Sequence, residues 1–143
     1  MGSIVCATRG GEASRRTQQR AIKLAKERGA DLTFLCVVDP GFVETSDERL
    51  KLALSDELKR LGRSLLCMAQ ARAEERGVEA QTIVRCGPVR EHLVAYLRES
   101  DADTLVIGAP EKERQIAALD PKNVERLAET VREATGVEVV VVE

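Results

Sequence analysis

Five short apolar runs alternate with four helix-like segments along the 143-residue chain, and three of those helices stop at a glycine that leads into the next run. The runs are SIVCAT (3–8), DLTFLCVVD (31–39), VEAQTIVRC (78–86), DTLVIG (103–108) and VEVVVV (137–142). DLTFLCVVD is apolar almost throughout, as a strand covered on both faces must be. Gly29, Gly77 and Gly136 each supply the left-handed cap that ends a helix. Strands joined by crossover helices run parallel, and right-handed crossovers put helices on both faces of the sheet. The expected fold is an α/β, doubly wound, five-stranded parallel sheet, formed as one domain over residues 1–143.

The first helix is expected over 12–28, with Ala21, Leu24 and Ala25 on one face and Arg15, Arg16, Arg20 and Lys23 mostly on the other. Pro40 and Gly41 open a polar connector, and a long second helix follows from about Asp47 to Arg76. Along it Leu50, Leu54, Leu58, Leu61, Leu65 and Met68 recur every three or four residues. Such a row also serves as a coiled-coil seam; packing of this face on the sheet is the expectation here. Val89, Leu93, Val94 and Leu97 face inward from the third helix. Asp120-Pro121 is a good start for the fourth, since Asp caps free amides and Pro tolerates the first helical position. Its buried face is Val124, Leu127, Ala128 and Val131, and residues 109–119 (APEKERQIAAL) read as a loop.

Composition narrows the function. The 22 basic residues are balanced by 24 acidic ones, whereas a domain built on the nucleic-acid backbone carries a basic excess. Phe34, Phe42 and Tyr96 are the only aromatics, too few for base-stacking platforms, so no nucleic-acid partner is expected. No apolar run approaches the ~20 residues that span a bilayer. The start, MGSIVCATRGG, has no signal-peptide core, and Cys6 stands where myristoylation requires Ser or Thr. No membrane partner and a cytoplasmic location are expected. Cys6, Cys36, Cys67 and Cys86 lie apart in apolar stretches and read as small buried hydrophobes. With no CxxC pair and a lone His92, no metal site is expected.

In doubly wound sheets ligands bind beyond the carboxyl ends of the strands, where strand order reverses. Those ends carry Thr8-Arg9-Gly10-Gly11, Val38-Asp39 and Gly108-Ala109-Pro110. Arg9-Gly10-Gly11 before a helix can present backbone amides to phosphate, though a tight strand-to-helix turn uses paired glycines as well. The chain has no GxxxxGK[ST], no GxGxxG after the first strand and no GxSxG elbow. Cys6 or Cys86 would be nucleophilic only if exposed with a lowered pKa. Nothing in the residues indicates catalysis, and no catalytic residue is assigned.

Four segments together resemble the universal stress protein family over essentially the whole chain: SIVCATRGGEAS, DLTFLCVVDP, TIVRCGPVREHLVAYLRESDADTLVIGAP and the closing VEVVVVE. The third is the most specific, with a glycine after the strand, a short apolar helix and an Asp-led strand ending in Ile107-Gly108. The resemblance implies a flavodoxin-like sheet of order 3-2-1-4-5 and a homodimer paired through the last strand, with Val137, Val139 and Val141 at the interface. An apolar edge strand invites self-pairing on independent grounds, unless a helix or loop covers it. Many members bind ATP through an Asp in the first loop and a GxxG, nine residues, then G[S/T] after the fourth strand. Here Thr8 fits that loop, but Arg9 stands in place of the Asp. Gly108 matches the first glycine, Glu111 replaces the second, and the next glycine is Gly136. Side chains obstruct the backbone approach that glycines allow, so the triphosphate cradle is expected to be degenerate.

Two readings follow. In the first, the protein is a non-catalytic, dimeric universal stress protein that works through protein contacts in the stress response, with no cofactor. In the second it is a switch for ATP, AMP or another phosphorylated ligand. Thr8, Arg9, Gly10, Val38, Gly108 and Ala109 would then line the crevice between the first and fourth strands, and Arg9 would grip phosphate. The simpler role for Arg9 is a surface pair with Glu12.

Overall fold

Alternation of the two periodicities produces the expected order in the protein, here described from a computed structural model at residues 2–8, 12–40, 46–108 and 121–142. The elements are β1 (Ser3–Ala7), α1 (Glu12–Arg28), β2 (Asp31–Val38), α2 (Glu48–Glu75), β3 (Ala80–Cys86), α3 (Val89–Glu99), β4 (Thr104–Gly108), α4 (Pro121–Thr135) and β5 (Glu138–Val142). All strand pairs are parallel, in the order β3-β2-β1-β4-β5. This is the flavodoxin-like arrangement, and the direction of winding reverses between β1 and β4. The expected loop 109–119 lies outside the described residues, as does the side chain of Val124.

Side chains alternate across a strand, so each central strand feeds two cores. Ile4, Cys6, Leu32, Phe34, Cys36 and Val106 pack under α1 and α2 with Ile22, Leu66, Ala69 and Ala73. Val5, Leu35, Leu105 and Ile107 pack under α3 and α4 with Leu93, Leu97, Ala128 and Val131. Register places Cys6 beside Phe34 on β2 and beside Val106 on β4, which fills the first core at the middle of the sheet. The continuous apolar reading of β2 is thus the sum of two alternating faces. Gly29, Gly77 and Gly136 adopt φ of 62°, 76° and 71° where helices turn into strands, which other residues reach only under strain.

The second helix corrects the sequence reading. Asp47 caps it, accepting from the N–H of Arg49 at 3.0 Å and of Leu50 at 3.4 Å. Its sheet-facing row is Gly62, Leu66, Ala69 and Ala73, and not the expected leucine row. Leu50, Leu61 and Met68 are exposed, while Leu54, Leu58 and Leu65 are half-buried. Small residues let the helix settle on the sheet: a Cβ at Gly62 would stand 3.4 Å from Val84 Cγ1 and 3.5 Å from Cys36 Sγ.

Candidate functional site

The carboxyl end of β1 is the natural crevice of this topology, and packing largely determines what stands there. Thr8 follows the last residue of β1, and its N–H donates to the Leu35 carbonyl at 2.9 Å, prolonging the β1–β2 ladder. The residue is buried, at 6% exposure. Its hydroxyl accepts from Gln18 Nε2 at 3.0 Å, and Arg72 Nη1 donates to Gln18 Oε1 at 2.6 Å. Gln18 is almost wholly buried and links β1 to α2 through α1. A buried amide needs partners at both ends, and this one has them.

Gly108 ends β4 opposite Val142 of β5. A Cβ there would collide with the Thr17 hydroxyl oxygen of α1, so the missing side chain brings helix and strand together. Val38 ends β2, packs partly on the α1/α2 core, and its carbonyl accepts the Gly87 N–H at 2.8 Å. Of the six residues assigned to a ligand from sequence, Thr8, Val38 and Gly108 come together along the carboxyl edge of the sheet. Arg9, Gly10 and Ala109 lie outside the described residues. Gln18 and Arg72, which the sequence reading did not single out, complete the polar chain behind Thr8. No short-range pattern marks them, because their partners are 10 and 54 residues away.

All four cysteines are free thiols, and they differ in access. Cys6 is buried, and burial pushes its thiol well above the ordinary value of 9.0, so it is no nucleophile. Its S–H donates to the Thr17 carbonyl at 4.0 Å. Cys36 is buried and Cys86 half-buried; Cys67, expected inside, is exposed on α2. Under native conditions a thiol reagent should label Cys67 first, with Cys6 and Cys36 reacting only on unfolding. Peptide mapping by mass spectrometry checks this, and early labelling of Cys6 would contradict it. Among the described residues no three His, Cys, Asp or Glu side chains gather where an ion could be held, and no helix is long and apolar enough to cross a membrane.

At the edge of the sheet β5 has a neighbour on one side, β4. Val137 and Val139 are buried in the α3/α4 core, each at 6% exposure, whereas Val141 is at 36%. Of the three valines placed at a dimer contact from sequence, Val141 is the one at the surface.

Residues 1–143 match the Universal stress protein family. The chain belongs to that family. Universal stress protein YxiE of Bacillus subtilis is 28% identical over 114 residues, covering 74% of this chain and 77% of that protein. Universal stress protein MJ0531 of Methanocaldococcus jannaschii is 32% identical over 110 residues, covering 76% of this chain and 65% of that protein. Among solved structures, universal stress protein UspA from Lactobacillus plantarum superposes with a TM-score of 0.81 at 18% identity, over 99% of this chain and 97% of that one. A universal stress protein in complex with cAMP gives 0.71 at 23% identity, over the same shares of 99% and 97%. At such identities the two structures establish a common fold.

Proposed function

We propose that this universal stress protein is a non-catalytic homodimer that works through protein contacts in the stress response, and that its β1/β4 crevice is not a triphosphate site. The observation that carries this reading is the inward use of the crevice's own residues. The Thr8 hydroxyl is held by Gln18, and the space a side chain at Gly108 would fill is occupied by Thr17 of α1. Arg9 in place of an acid and Glu111 in place of a glycine point the same way. Mg-ATP and AMP, titrated separately, should leave the melting temperature unchanged in a thermal-shift assay. A saturable rise with either one contradicts the reading.

The competing reading is a nucleotide switch, and the similar fold solved with cAMP favours it. In that case Arg9 would grip the phosphate, Thr8, Gly10, Val38, Gly108 and Ala109 would line the crevice, and Mg-ATP or AMP should raise the melting temperature.

Pairing through β5 is supported by its position at the sheet edge and by exposed Val141. A charge at Val141 disfavours strand-to-strand association without entering a core. Val141→Lys should therefore halve the mass seen by light scattering, and an unchanged dimer mass would refute β5 pairing. Val139 is unsuitable for this test, because a charge there is buried within the protomer.

A further inference from the structure

The sheet has a second edge, at β3, and the direction of each backbone group along it follows from two hydrogen bonds. In a parallel ladder the N–H and C=O of one residue point the same way, and successive residues alternate. Just beyond β3 the Gly87 N–H donates to the Val38 carbonyl at 2.8 Å, so the odd-numbered residues of this strand bond to β2. The backbone groups of Ala80, Thr82, Val84 and Cys86 therefore point away from the sheet. The Ala80 carbonyl is covered, since it accepts from Gln70 Nε2 of α2 at 2.7 Å. The outward groups of Thr82, Val84 and Cys86 have no hydrogen-bond partner among the described residues. Proteins commonly blunt such edges with Lys, Pro or a bulge, and the seven-residue β3, AQTIVRC, has none of these.

The side of α2 that overlooks this edge is cationic. Lys59, Arg63 and Gln70 share one row at helical spacing, and Gln70 fixes the row's direction by reaching Ala80. A Cβ at neighbouring Gly62 would stand 3.4 Å from Val84 Cγ1, so Arg63 is level with Val84 and Lys59 lies toward Cys86. Neither cation has an ion-pair partner among the described residues. Asp56 and Glu74, about 40° further round the helix, fall past the two ends of β3. On the opposite face of the sheet Arg85 lies over Tyr96 of α3 and is paired with Glu99 at 3.2 Å. The open ladder thus carries its uncompensated positive charge on the α2 side.

We propose that the β3 edge takes an extended acidic segment of a partner protein as a sixth strand, with alternate carboxylates against Lys59 and Arg63. This rests on the protein-contact reading and names the kind of partner. Donors and acceptors that alternate at strand spacing are matched by another extended peptide backbone, and the flanking charge selects an acidic one. A nucleic-acid backbone or a lipid headgroup would answer the two cations and leave the outward carbonyls unpaired. A second copy of this chain, paired at β3 about a two-fold axis, would set the cationic row against itself.

The test uses the full chain and fluorescent peptides of about eight residues that alternate glutamate with valine. By anisotropy the glutamate peptide should bind, and a twin with lysine in place of glutamate should not. Backbone N-methylation separates strand addition from charge attraction. Methylating one alternate set of peptide amides should abolish binding, and methylating the other set should spare it. On the protein, Lys59→Glu/Arg63→Glu should weaken binding at least about tenfold. Thr82→Pro should do the same, because it removes an outward N–H and leaves the β2 ladder whole. Circular dichroism verifies that each variant is folded, and the methylated peptides read the same contact on the unaltered chain. No binding of the glutamate peptide overturns the proposal. So does equal binding of the two methylated peptides, which makes the contact one of charge alone. Equally tight binding of a thymidine oligonucleotide or of phosphatidylserine vesicles, or a lower assembly mass in folded Thr82→Pro, assigns the edge to another occupant and overturns it too. Nucleotide found in the β1/β4 crevice would contradict the proposed function without altering the peptide titration, so the two failures are distinct.

Discussion

Truncating Leu66 to alanine should lower the unfolding free energy by about 2–5 kcal/mol, whereas the same truncation at Leu61 should change it by no more than about 0.5 kcal/mol. The two leucines sit five residues apart in α2. Leu66 is at 0% exposure among Ile4, Phe34 and Ala69, and its removal leaves a cavity that a close-packed core fills poorly. Leu61 is 56% exposed and its removal leaves only less apolar surface in water. Urea denaturation of both variants reads the difference. Comparable losses at the two sites would mean that the leucine row packs inward after all.

That contrast also shows where the sequence was legible and where it was not. The order of elements was readable because each depends on local rules: a period of two or of 3.6, and glycines at positive φ after three helices. The direction in which α2 faces depends on a non-local fact, namely how closely the helix must approach β2 and β3. Three of the four buried sheet-facing positions, Gly62, Ala69 and Ala73, are small, with Leu66 the one large side chain among them. A reading by hydrophobicity prefers the bulkier row beside them. Apolar periodicity located the helix correctly and assigned the wrong stripe to the core.

A valine at Gly108 should destabilise the protein by about 1–3 kcal/mol, the range for overpacking a filled interior. The added Cβ meets the Thr17 hydroxyl, and Thr17 is buried and β-branched, with little rotamer freedom to move aside. Thr17→Ala in the same chain should recover part of the loss, because the two positions share one contact. Chemical denaturation of the single and double variants makes the comparison. If Gly108→Val leaves stability intact, this glycine is not required for helix–strand packing, and the argument from Gly108 in the proposed function falls.

The candidate site was legible in outline. Topology alone pointed to the ends of β1 and β4, and Thr8 and Gly108 do stand there. What the sequence did not reveal is that Thr8 is held by Gln18 and Arg72, and that Gly108 makes room for Thr17. Gln18 and Arg72 are separated by 54 residues and meet only because right-handed winding sets α1 beside α2. Gly108 was read as a place kept clear for phosphate, yet glycine serves equally where a helix must come close. Val137 and Val139 were read as edge residues because strand alternation gives a face but not its neighbour, and α3 and α4 supply that neighbour.

Whether the β1/β4 crevice carries a nucleotide in the native protein is decided most directly by denaturing the purified full chain and identifying any released small molecule by mass spectrometry. The expected result is no nucleotide above trace, because Thr8 and Gly108 are already engaged by Gln18 and Thr17. ATP, AMP or a cyclic nucleotide released in stoichiometric amount would contradict it and make the protein a nucleotide-responsive switch.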